Sequence, residues 1–221
     1  MQPYKVPAAA ASAEVSDRRS RFIGQVWPVS EPAQAAQTLE ALRKAHYQAR
    51  HVVYAVRLHA PETARFSDDG EPQGTAGPPL LELLRRADMT DCLLTVVRYF
   101  GGVLLGTGGL LRAYTAAGQQ ALAAAGEAWK VPAVSARLTC SYTAYGRIAA
   151  LPAACGGEAG TPVYAETVSL PVRIPALCAG ALADDEIWRE TGTPAPVWTP
   201  ADPICLTKEE YEKKKELFLK K

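Results

Sequence analysis

A two-domain α/β (α+β) fold is predicted, and three observations carry it. Helix-spaced and strand-like runs alternate along 221 residues, a length beyond the roughly 100–150 of a common single domain. The pattern restarts after Val131–Pro132 and then runs β-α-β-β-α-β, the order of a ferredoxin-like domain. In the first half, two glycine-rich segments each stand directly before a helix.

Taken in order, residues 1–14 are expected to form a flexible N-terminus with a short alanine run. They have neither a basic leader nor a long apolar stretch, so no secretory signal is expected. Residues 20–29 read as a strand, and Pro32 suits the first position of a helix to about His46, with Ala35, Leu39, Leu42 and Ala45 at helical spacing. Alternation over His51–Leu58 predicts a strand with one wet face. Residues 60–78 read as irregular, a helix follows to Arg86, and Cys92–Phe100 reads as a buried strand. The segment Gly101–Gly109 feeds a long alanine-rich helix ending near Gly126, a suitable C-cap.

Beyond the restart, strands are predicted over 136–142, around Val163–Tyr164, over 168–172 and near Val197–Trp198, with helices over 145–155 and 176–191. Thr207-Lys208-Glu209-Glu210 is a capping box opening a charged tail helix to Lys221. The predicted organisation is a flexible 1–14, an N-terminal domain over 15–130, a ferredoxin-like domain over 135–203 and a tail helix over 207–221.

Hydrophobic residues are 48% of the chain and charged residues 21%, enough to bury a core. The net charge of +1 removes any argument for nucleic acid from overall charge. No apolar run approaches the ~18–20 residues of a membrane span. Cys92, Cys140, Cys155, Cys178 and Cys205 are odd in number and widely spaced, and read as small buried hydrophobes in a reducing compartment. The expected location is cytoplasmic.

The chemistry centres on the two glycine-rich segments. A strand, then Gly101, Gly102, Gly106, Thr107, Gly108 and Gly109, then a helix, turns free backbone N–H groups and the positive helix end toward one point. Arg98 and Tyr99 at the strand's end and Arg112 in the helix's first turn flank it, and the arginines suit a phosphate. It is neither a Walker A loop nor the dinucleotide fingerprint. Gly74, Thr75, Ala76 and Gly77 precede Pro78 and offer a second anion subsite at a helix start. Arg50 and His51 open a strand that faces these loops, with a hydrogen-bonded structural role expected for the histidine. Asp68, Asp69 and Glu71 beside Gly70 have the density of carboxylates for Mg²⁺ sharing a phosphate ligand, although such residues also cap ordinary turns. No other cofactor is expected. No serine elbow or Cys–His signature occurs, so catalysis has no positive support.

The string Arg65-Phe66-Ser67-Asp68-Asp69-Gly70-Glu71-Pro72-x-Gly74-Thr75-Ala76-Gly77, with Val97-Arg98-Tyr99-Phe100-Gly101-Gly102-x-Leu104-Leu105-Gly106-Thr107-Gly108-Gly109-Leu110, closely resembles the IMPACT/YigZ family, in its bacterial two-domain form. Ser20-Arg21-Phe22-Ile23 and Ala49-Arg50-His51 resemble it too. The resemblance implies an N-terminal fold like the second domain of a small-subunit ribosomal protein, also found in domain IV of elongation factor G. It implies a ferredoxin-like C-terminal domain similar to that factor's domain V. No counterpart of the eukaryotic relatives' N-terminal partner-binding domain is expected from these residues, so their regulation of a translational kinase is not carried over.

The function expected is a cytoplasmic RNA- or ribosome-associated modulator of translation that grips phosphates through its glycine-rich loops. Tyr99, Phe100 and Tyr114 are candidates to stack on an unpaired base, although Phe100 reads as core. One alternative is an enzyme or sensor for a small phosphorylated ligand or nucleotide using Mg²⁺. Another is a protein-interaction module whose clue is the tail helix. No membrane partner is expected.

Overall fold

A computed structural model describes residues 2–183 and 186–218. The elements run β1 (Tyr4–Pro7), β2 (Ala11–Asp17), β3 (Ser20–Pro28), α1 (Pro32–Ala45), β4 (His51–Leu58), β5 (Thr63–Ser67), α2 (Gly77–Arg86), β6 (Cys92–Tyr99) and α3 (Gly106–Ala125). They continue β7 (Glu127–Cys140), α4 (Tyr142–Ala154), β8 (Glu158–Ala159), β9 (Val163–Tyr164), β10 (Val168–Pro175), α5 (Ala176–Ala183), α6 (Ile187–Thr191), β11 (Thr199–Thr207) and α7 (Lys208–Phe218). One compact unit holds Lys5–Ala128, and the other holds the chain from Trp129 onward together with the residues before Lys5.

The N-terminal unit is one antiparallel sheet in the order β2-β3-β6-β4-β5 with helices on both faces. Side chains alternate across a strand, so β6 serves both layers. Leu94, Val96 and Arg98 turn toward α2 and α3, where Phe22, Val26, Val53, Leu80, Leu84 and Tyr114 form the main core. Leu93 and Val97 turn toward the α1 side with Leu39, Leu42 and Val52. The alanine stripe of α3 (Ala113, Ala117, Ala121, Ala125) is buried, and its small side chains let the helix lie close on the sheet. Gly24 of β3 belongs to that approach: a Cβ there would sit 2.3 Å from the Ala117 carbonyl oxygen.

Two sequence expectations are corrected here. Residues 1–14 are not a loose lead, because Ala11–Asp17 pairs along its whole length with β3, from Ala11↔Val26 to Asp17↔Ser20. Residues 60–78 are not wholly irregular either, because β5 forms a hairpin with β4.

In the C-terminal unit β7 pairs antiparallel with β10, β11 joins β7, and β8 and β9 both join β10. The order β11-β7-β10-β8/β9 is that of the βαββαβ ferredoxin-like sheet. Ile148 of α4 and Trp188 of α6 pack on Leu138, Leu170 and Val172. The helix expected over 176–191 is described as α5 and α6, and residues 184–185 lie outside the described residues. The last strand starts at Thr199, just past the Val197–Trp198 pair.

The capping box forms as read: Glu210 N donates to Thr207 Oγ1 and Thr207 N to Glu210 Oε2. The bond from Thr207 N to Glu210 Oε2, and after it the one from Thr207 Oγ1 to the same oxygen, hold the Glu210 carboxyl below the usual range. Residues 219–221 of the expected tail helix lie outside the described residues. All five cysteines are free, and Cys205 is exposed rather than buried because it faces outward from β11. Among the described residues, no helix is long and apolar enough to cross a membrane.

Candidate functional site

Three neighbouring strands bring the first residues together. Register sets Phe22 of β3 and His51 of β4 on either side of Arg98 of β6, so all three share the face that α3 covers. The Arg98 guanidinium lies 5.4 Å from the Phe22 ring and 5.6 Å from the Phe100 ring. The loop after β5 then lowers Glu71 onto this group. Glu71 Oε1 accepts from Arg98 Nη1 at 2.5 Å and from Tyr114 Oη at 2.7 Å, with His51 Nε2 at 3.7 Å. The carboxylate is 3% exposed and Arg98 6%. Burial, reinforced by the Glu71 carboxylate, pushes the Tyr114 phenol far up, so it stays protonated and donates.

The loop is set by its two aspartates. Asp68 Oδ1 accepts from Ala76 N and Gly77 N, and its Oδ2 accepts from Gly74 N. Thr75 N and Oγ1 both donate to the Pro72 carbonyl. Asp69, with Gly70 in the left-handed region beside it, accepts from Val52 N at 2.7 Å and from Arg43. Its own carbonyl lies 2.7 Å from His51 Nδ1. A carbonyl can only accept, so Nδ1 carries the proton and Nε2 is the nitrogen turned toward Glu71.

This geometry corrects two expectations. Gly74, Thr75, Ala76 and Gly77 are not an open anion subsite, because the chain itself takes their amides: Asp68 takes those of Gly74, Ala76 and Gly77, and the Pro72 carbonyl takes that of Thr75. Asp68, Asp69 and Glu71 are not a Mg²⁺ cluster either, because each faces different donors. Among the described residues no group of three or more acidic, histidine or cysteine side chains is placed to hold a metal ion.

The second glycine segment differs. The N-cap of α3 is Leu105, which has no side chain able to cap. The first-turn amides of an α-helix have no partner within the helix, and here the turn opens on a cavity of about 430 Å³. Gly106 and Thr107 line it with Arg50, His51, Glu71, Pro72, Arg98, Phe100, Leu104, Leu105 and Leu110. The two glycine-rich loops therefore converge: the first contributes Glu71 and Pro72, and the second contributes the start of α3.

The remaining residues fall outside the cavity. Tyr99 is one position on from Arg98, so it faces the other side of the sheet and hydrogen-bonds His46 Nδ1 at 2.8 Å. Gly101 donates its amide to Ser20 Oγ. Gly102 turns the chain with φ +83°. Gly108 is open, with Arg112 beside it, and Gly109 packs on Leu105. Tyr114 is fully buried and cannot stack on a base, whereas Phe100, read as core, is 48% exposed at the cavity.

Arg18 and Arg19, exposed at the turn between β2 and β3, also belong to this face. Arg18 Nη1 reaches the Leu104 carbonyl, and the Arg19 backbone abuts Gly101. Their signal is the β2–β3 turn that places them, and β2, the strand leading into it, was not read from the sequence.

The Impact N-terminal domain family model matches residues 18–122. The chain is 37% identical over 179 residues to IMPACT family member YigZ of Escherichia coli, covering 80% of this chain and 88% of that one. It is 36% identical over 172 residues to the Thermus thermophilus IMPACT family member in the pol 5′ region, covering 76% and 93%. A crystal structure described as that of a hypothetical protein is similar at TM-score 0.59 and 34% identity, covering 88% of this chain and 96% of that one.

Proposed function

The chain belongs to the IMPACT family, and from that premise we propose that it regulates translation by associating with RNA or the ribosome through the face around the α3 start. One observation carries the reading. An uncapped helix N-terminus opens beside exposed arginines, with Arg50 on the cavity, Arg112 beside the first turn, and Arg18 and Arg19 at the adjoining turn. Among the described residues, no ion pair engages Arg50 or Arg112. Helix dipole and guanidinium both favour phosphate oxygens. The overall charge of +1 does not oppose this, because the Debye length is about 8 Å at physiological salt and a local patch decides. The folds that the IMPACT resemblance implies, shared with domains of elongation factor G, support the translational setting.

A second reading, a free small phosphorylated ligand, is favoured by the cavity's volume of about 430 Å³, which lies within the roughly 300–1,000 Å³ of small-molecule pockets. The protein-interaction reading loses its clue. Tyr211 and Lys214 of the tail helix are buried within their own unit, against Trp129 and the Ala154 carbonyl.

The test is binding of a short labelled single-stranded RNA, and of purified ribosomes, across a salt series. Arg50→Ala and Arg112→Ala should each flatten the log–log salt slope for the RNA by about 0.7, the value for one single-strand phosphate contact. A steep slope unchanged in the double variant would move RNA elsewhere on the protein.

A further inference from the structure

We infer that the cavity seats one unpaired nucleoside phosphate, its phosphate on the α3 start and Arg50 and its base against Phe100. This rests on the reading that the α3 face meets phosphate, and it goes further by giving that face a built pocket with a preferred ligand.

The first observation is an unused donor. Arg98 is 94% buried by its 6% side-chain exposure, lines the cavity, and gives Nη1 to Glu71, yet its Nε has no hydrogen-bond partner. Buried donors are rarely left unpaired in folded proteins, so each calls for an explanation. A guanidinium only donates; this Nε–H is itself closed off from solvent, but the Arg98 side chain lines the cavity, so a small shift of that side chain would turn the unanswered N–H toward an oxygen seated there. Arg98 and Glu71 largely cancel each other's charge, so the net attraction for an anion comes from Arg50 and the α3 dipole. His51 also lines the cavity, and with its proton on Nδ1 its Nε2 offers a lone pair to a ligand hydroxyl.

The second observation is the apolar part of the lining. Phe100, Leu104, Leu105, Leu110 and Pro72 are apolar, and Leu104 is 81% exposed. Inorganic phosphate alone would leave that surface wet. A ligand carrying a planar apolar body beside its anion uses both the polar and the apolar lining. Phe100 keeps Arg98 on one side and has 48% of its surface exposed, which gives a base room to stack. The volume of about 430 Å³ is of the size that takes one small ligand such as a single nucleotide. The source is either a free mononucleotide or an unpaired end of RNA, and the experiment separates them.

Isothermal titration with 5′-AMP, adenosine and inorganic phosphate is run beside binding of two RNA hairpins, one with a single-stranded 3′ overhang and one blunt. Thr107→Trp fills the cavity from an exposed position, and Phe100→Ala removes the stacking surface. Melting curves matching the parent protein exclude misfolding in both. The expected result is that 5′-AMP binds more tightly than phosphate or adenosine, and that each variant weakens it at least about ten-fold. The overhang hairpin should then depend on Thr107 as 5′-AMP does, while the blunt hairpin should not.

Uptake of 5′-AMP without hairpin binding supports the pocket with a free nucleotide as its source, and removes the RNA reading. Hairpin binding that Arg50→Ala weakens but Thr107→Trp and Phe100→Ala leave intact overturns the pocket and leaves the RNA reading standing. Phosphate binding as tight as 5′-AMP overturns the role given to Phe100.

Discussion

Glu71→Ala is expected to lower the unfolding free energy of the N-terminal unit by about 3–5 kcal/mol, the range for breaking a buried ion pair from one side. The size follows from what is left behind. Glu71 Oε1 alone answers Arg98 Nη1 and the Tyr114 hydroxyl. Without it a guanidinium 6% exposed has no counter-charge, and a fully buried phenol has no acceptor. Glu71→Gln keeps an oxygen for one donor and should cost less. The double variant Glu71→Leu/Arg98→Met should cost less than Glu71→Ala, because an apolar pair leaves no orphan charge. Urea titration of the four proteins by circular dichroism, with the two units fitted separately, reads these differences. A loss under about 1 kcal/mol for Glu71→Ala would mean that the pair is not the floor of the site.

Gly24→Ala is the second large effect, expected at about 3 kcal/mol, the upper part of the range for overpacking a close-packed core. The added carbon would lie 2.3 Å from the Ala117 carbonyl oxygen and 2.8 Å from its carbon. Both are backbone atoms of α3, so no rotamer change relieves the contact and the helix must lift from β3. Since α3 also carries Tyr114, Gly106 and Thr107, the same change should disturb the cavity. Thermal unfolding followed by circular dichroism measures it, and a melting temperature equal to the parent's would show that α3 sits further from the sheet than described.

Much of the fold was legible because its signals are local. The Pro32 start of α1, the alanine spacing of α3 and the Thr207–Glu210 box are all features of short segments, and those three helices start within a few residues of their expected places, whereas the strand read over 136–142 already starts at Glu127 and runs through Val131–Pro132. The ferredoxin-like order followed from element sequence alone. Residues 11–17 were not legible as a strand, because an alanine- and serine-rich segment acquires its structure only by pairing with β3.

The site was legible as two loops and not as a network. Asp68 has the same sequence appearance whether it binds a metal or caps three amides of its own loop, and only the turn of the chain toward Gly74–Gly77 decides. Glu71 reads as one of three acidic neighbours, while its partners Arg98 and Tyr114 lie 27 and 43 positions away. Tyr99 was grouped with Arg98 by adjacency, yet strand alternation sends adjacent residues to opposite faces. Phe100 stands just past the end of β6, where alternation no longer assigns a side.

The account turns on an asymmetry between the loops: one closed by Asp68, the other open at the start of α3. Amide chemical-shift mapping of the isotope-labelled protein during titration with a short single-stranded RNA measures it directly. The amides of Gly106, Thr107 and Gly108 should shift strongly with those of Arg50 and His51, while Gly74, Ala76 and Gly77 stay near their free positions. Shifts confined to Gly74–Gly77, with the α3 start silent, would contradict it.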